Sequence, residues 1–189
     1  MTLDHPKLIK LLQKAYSAEK AAAFAYMGHA NSIKKLEDKA PINQIEQDEW
    51  EHRREVLSIM QEYDVPVSKF EEFKFHIIGK FIAFSCHVIG WFMPYFFAGK
   101  LESGNVCEYF VMLDYFNDLG ITKHNQMLYD MGMKEKDHEV FFMQVCQKSK
   151  WLPYFEKIFR WGENISLNDV DLEKKYPVDE SGRYCKRSK

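Results

Sequence analysis

The sequence predicts an all-α protein, a four-helix bundle with an apolar crossover between two helical hairpins. Three observations carry that expectation. Gly (9) and Pro (6) are scarce for 189 residues, which disfavours a turn-rich β fold. Apolar residues recur at helical spacing over long segments. A set of Glu and Glu-x-x-His residues occurs twice, in the same order, once in each half of the chain.

Residues 6–38 are predicted to form the first long helix. Pro6 suits a first turn, and Leu8, Leu11, Leu12, Ala15, Ala22, Ala25 and Tyr26 mark one face. Asp38-Lys39-Ala40-Pro41 reads as a break, and a second helix follows over about 41–63, ended by Asp64-Val65-Pro66. Residues 68–99 form the crossover, in which Phe81 to Ala98 contains no Asp, Glu, Lys or Arg. A third bundle helix continues through about Leu119. Gly120 then serves as a C-terminal cap and Thr122 as an N-cap for a fourth helix over about 122–148. Residues 151–161 read as a short aromatic helix, which completes a 1–165 domain. Residues 166–189 read as a polar tail, with four basic residues and no acid among the last seven.

Lys plus Arg (26) against Asp plus Glu (28) leaves a formal charge of −2, with no basic field for nucleic acid. Cys86, Cys107, Cys146 and Cys185 form no C-x-x-C pair, which excludes a zinc ribbon or a paired-cysteine iron site. Scattered cysteines and an N-terminus without a basic and apolar leader point to the cytoplasm, with the membrane periphery as an alternative.

The chemistry lies in the repeat. Glu49 precedes His52 by three residues, and Glu135 precedes His138 by three, so each pair projects from one helix face and can grip one ion. With seven histidines in the chain, a single such pair is close to a chance event. Context strengthens both. Glu19 lies 30 residues before Glu49 and Glu108 lies 27 before Glu135, each on the preceding helix. Tyr26 follows Glu19 by seven residues and Tyr115 follows Glu108 by seven, two turns along the same face. Glu102, with Tyr109 seven residues on, competes for the third-helix position. Counting about the Gly120 turn favours Glu108, which lies 12 residues before it, against 15 after it for Glu135 and 18 before it for Glu102. Four glutamates supply about −4, matching two divalent ions, and two neutral imidazoles complete the set. Without metal, four carboxylates facing one core repel one another.

These residues resemble the ferritin-like di-iron carboxylate superfamily, including the rubrerythrins, where Glu-x6-Tyr and Glu-x-x-His alternate. The paired cysteines of a rubredoxin domain are absent here. In layout the chain is more similar to the demethoxyubiquinone hydroxylase family of ubiquinone biosynthesis. There a first-helix Glu precedes Glu-x-x-His by a similar interval, and an apolar connector leads to a Gly-Lys-Glu-Gly-like turn and the second ligand pair. Here the matching run is Gly99-Lys100-Leu101-Glu102-Ser103-Gly104. The interval from Glu108 to Glu135 is shorter than in that family, Glu108 is not in a Glu-Glu doublet, and the C-terminal aromatic segment differs.

The resemblance implies two bound Fe ions, with Mn as an alternative, held by Glu19, Glu49, His52, Glu108, Glu135 and His138. Tyr26 and Tyr115 would tune the carboxylates. The implied activity is O2- or peroxide-dependent hydroxylation or oxidation of a small hydrophobic organic molecule, a quinone-like one being one candidate among others. The alternatives are iron oxidation or peroxide scavenging without an organic substrate, and a structural bundle with another metal or none.

The apolar crossover has two readings. It either packs on the bundle, or it forms an apolar surface over 75–98 that admits a greasy substrate or touches a membrane, with Lys74, Lys80 and Lys100 snorkelling to headgroups. His87 and Pro94 argue against a spanning helix. His76 and His87 lack ligand partners at helical spacing and read as packing or surface residues. A homodimer is also compatible with the sequence.

Overall fold

A computed structural model describes residues 3–159 and 161. Among them there are six helices and no strand: α1 (Pro6–Ser32), α2 (Leu36–Glu62), α3 (Lys69–Ser85), α4 (Phe92–Asp118), α5 (Asn125–Cys146) and α6 (Leu152–Phe159). The protein is therefore all-α, as expected. The tail over 166–189 lies outside the described residues.

The element boundaries differ from expectation in ways with clear causes. The first helix stops at Ser32, and the break falls at residues 33–35 rather than at Pro41. Pro41 sits inside α2, beyond its first turn, where it withholds the N–H that would otherwise reach the Glu37 carbonyl, and the helix continues through it. Glu37 and Asp38 instead occupy the first turn, where their charge favours the helix N-terminus. The apolar crossover does not run as one segment. It turns after Ser85, with Gly90 at φ 81°, and resumes at Phe92 as α4, which places Pro94 in a first turn. Gly120 takes φ 71°, and the Gly120 and Ile121 amides donate to the carbonyls of Asn117 and Phe116, closing α4 as a glycine cap should. Thr122 does not cap α5, which begins at Asn125 after His124. No described helix is long and apolar enough to cross a membrane.

The chain divides into two compact units, Met1–Pro94 and Tyr95–Lys189. In the first, α1 packs against both α2 and α3. Two of these helices, α1 and α3, start on side-chain caps: His5 Nδ1 accepts from the Leu8 amide at 3.0 Å, and Ser68 Oγ accepts from the Glu71 amide at 3.3 Å. The α1–α3 contact is a glycine seam. A Cβ on Gly28 would lie 2.3 Å from Ala83 Cα, and one on Gly79 would lie 2.7 Å from Ala21 Cα, so the two backbones nearly touch. In the second unit the core is aromatic. Phe96 lies 5.2 Å from Phe155 and 5.1 Å from Trp161 between ring centroids, and Tyr95 lies 6.2 Å from Phe142.

Candidate metal centre

Each long helix buries a stripe of residues three or four apart, and on α1, α2, α4 and α5 the stripe carries a side chain that could ligate a metal where an apolar one would serve. On α1 the stripe is Leu8, Leu12, Ala15, Glu19, Ala23, Tyr26 and Ala30. On α2, Glu49 and His52 stand between Ile45 and Val56. On α4, Glu102 stands between Gly99 and Val106. On α5, Glu135 and His138 stand between Met131 and Phe142. All six side chains are buried, with Glu49 and Glu135 at 0% exposure. Burying an ionised carboxylate costs several kcal/mol unless an opposite charge compensates.

The first unit brings Glu19, Glu49 and His52 together, each offering a ligand atom within 4.8 Å of the others. The second unit does the same with Glu102, Glu135 and His138. His138 Nδ1 lies 3.8 Å from Glu135 Oε2. An ion bound at about 2.0–2.2 Å spaces its donors about 3–4 Å apart, so each triad needs only a small contraction to close on one. Carboxylate oxygens with one imidazole nitrogen suit iron, manganese or zinc better than a soft, thiolate-preferring ion.

The carboxylate that α4 contributes is thus Glu102, and Glu108 joins neither group. Counting residues from the turn ignored rotation. Six residues along a helix turn the side chain through about 600°, which leaves Glu108 well away from the Glu102 face. Glu108 is accordingly half-buried, while Glu102 is 1% exposed and accepts a 2.9 Å hydrogen bond from Asn105 Nδ2. The overlooked signal was the apolar stripe Phe92, Phe96, Gly99, Val106, Tyr109 and Phe116, which contains Glu102 in phase. The tyrosines follow the same logic. Tyr26 and Tyr109 are both buried, seven residues beyond Glu19 and Glu102, whereas Tyr115 is only half-buried.

Residues next in sequence to the candidate ligands are themselves tied down by ion pairs. Lys20 and Arg53, following Glu19 and His52, both bind Glu72 of α3: Lys20 Nζ donates at 2.6 Å and the Arg53 guanidinium donates at 3.0 and 3.1 Å. Arg53 also donates to the Tyr16 carbonyl and stacks 3.6 Å from the Tyr16 ring centroid. Burial opposes ionisation of Glu72, but hydrogen bonds from Arg53 and Lys20, with the Arg53 charge, together bring its pKa down to about 2. In the second unit, Lys136 and Glu139 follow Glu135 and His138. They form a buried ion pair at 2.6 Å, and Trp161 Nε1 donates to the other oxygen of Glu139 at 3.3 Å. Sequence reasoning missed both braces, because i to i+1 neighbours of a ligand carry no spacing signal.

Comparison with known proteins found no matching family model, no matching curated protein and no matching solved structure.

Proposed function

We propose that the two Glu/Glu/His triads act as one carboxylate-bridged di-iron centre in a ferritin-like four-helix bundle built from α1, α2, α4 and α5. On this reading the protein is an oxidoreductase that uses O2 or peroxide to hydroxylate or oxidise a hydrophobic organic molecule. The observation that carries the reading is the chemical equivalence of the triads. Each holds two buried carboxylates and one imidazole, on two helices, in one order along the chain. Two such sets match the four-Glu, two-His ligand pattern of di-iron and di-manganese bundles. Taking Glu102 as ligand also lengthens the interval to Glu135 from 27 to 33 residues, toward the spacing of the family the sequence resembles.

The residues then have defined tasks. Glu19, Glu49, Glu102 and Glu135 supply four negative charges against two divalent ions. His52 and His138 bind through neutral imidazole nitrogens, one to each ion. When bound, iron supplies the electrons that reduce oxygen. Lys20, Arg53 and Glu72 fix the first triad, and Lys136, Glu139 and Trp161 fix the second, so the ligand geometry is held before an ion arrives. Burial of both triads keeps bulk water from the reacting region.

Anaerobic Fe(II) loading followed by metal analysis tests the reading. The intact chain should bind about two irons, Glu49→Ala and His138→Ala about one or fewer, and the loaded protein should consume O2. Iron content near zero in the intact chain, or unchanged in both variants, would sink it.

A further inference from the structure

The outward face of α3 is built against the ordinary rule for a helix on a protein surface. Phe70, Phe73, Ile77, Phe81, Phe84 and Val88 recur at intervals of three and four residues, and all are exposed, with Phe73 and Phe81 at 70%. A monomer rarely leaves a continuous apolar stripe of this length in water.

Rotation cannot hide it. The Gly28–Ala83 and Gly79–Ala21 seams hold the opposite face of α3 against α1 at backbone contact. Glu72, on that inner side, is bound to Lys20 and Arg53. The stripe therefore faces outward as a fixed feature of the first unit.

Its charge selects the occupant. Residues 73–101 contain no Asp or Glu and three lysines, in a chain whose formal charge is −2. Glu71 pairs with Lys74, and Glu72 turns inward, so the nearest acids are already engaged. On the helical wheel Lys74 flanks the stripe on one side, and Lys69 and Lys80 flank it on the other. Trp91, 58% exposed, lies just past its end. A surface that is apolar along its centre, lysine-edged and ended by an indole fits the boundary between anionic headgroups and acyl chains. A second copy of this chain would set lysine edge against lysine edge, which disfavours self-association along the stripe.

We propose that α3 lies in the plane of an anionic lipid surface, with Phe73, Ile77 and Phe81 among the acyl chains and the lysines at the headgroups. This assignment is independent of the metal reading. Flotation of the full chain with phosphatidylglycerol vesicles and with phosphatidylcholine vesicles tests it. Binding should favour phosphatidylglycerol, weaken in high salt, and shift tryptophan emission to the blue. Phe73→Glu with Phe81→Glu should reduce partition by more than about tenfold, since both positions lose their apolar contact with the acyl chains. The melting temperature and metal content of that variant should match the intact chain. The emission shift needs no variant, so it stands even if the double substitution fails to fold. No binding to either vesicle overturns the proposal, as does equal binding to both. A dimer that Phe81→Glu dissociates, without vesicle binding, assigns the stripe to a second copy and overturns it too.

Discussion

The two units hold the same three ligand types but brace them by different means. In the first, a carboxylate on a third helix, Glu72, ties down Lys20 beside Glu19 and Arg53 beside His52, so the brace spans α1, α2 and α3. In the second, the ion pair lies within α5, one turn of Lys136 and Glu139, and a single indole reaches it from outside the helix. The first is a partly buried network of three charges, the second a fully buried pair with one hydrogen bond. Removing a member should therefore cost the second unit more, because its surviving charge has no water to turn to.

Glu139→Ala provides the largest expected effect. It strands Lys136, which is 4% exposed and whose pKa burial already lowers against the pull of Glu139, and should cost about 3 kcal/mol in denaturant unfolding. Glu72→Gln leaves Lys20 and Arg53 partly solvated and should cost about 1 kcal/mol. Equal losses would erase the distinction between the two braces.

A second test sets Glu102 against Glu108. Glu102→Ala should weaken iron binding by more than about 100-fold, while Glu108→Ala should leave it unchanged in the same titration. The opposite result would return the α4 ligand to the position that residue counting favours.

The units also differ in how tightly their glycines are enclosed. A methyl on Gly28 meets the Ala83 backbone, whereas one on Gly99 meets the Trp161 ring at 2.3 Å, a side chain that can tilt. Gly28→Ala should cost about 2–3 kcal/mol in thermal unfolding and Gly99→Ala about 1–2 kcal/mol.

The smallest effect is the pH dependence that His29 gives the first unit. Burial lowers the His29 pKa to about 4 from 6.5, so between those values the unfolded chain binds the extra proton and stability falls as pH falls. Stability should drop by about 1 kcal/mol from about pH 7 to about pH 5.5, and His29→Gln should flatten that slope.

The fold class was legible because helical periodicity runs the length of α1, α2, α4 and α5, and both Glu-x-x-His pairs lie within it. What sequence spacing handled poorly was rotation. Glu102 and Glu108 lie about 9 Å apart along α4, but they also differ in face, and only the surrounding apolar stripe carries that second difference. Pro41 misled because the packing of α2 on α1 carries the helix through a residue that local propensity would use to end it. The apolar crossover conflated two environments. Its second half packs as the aromatic start of α4, while its first half presents the α3 stripe to solvent.

Trp161 has a practical consequence beyond its role in packing. Its ring lies against Gly99, three residues before Glu102, and its Nε1–H reaches Glu139, one residue after His138. A single indole thus touches both helices that supply the second triad, and its emission can serve as an intrinsic optical gauge of that half-site as metal is added or withdrawn. Any shortened form of the chain must keep residue 161, or it loses the gauge and the peg together.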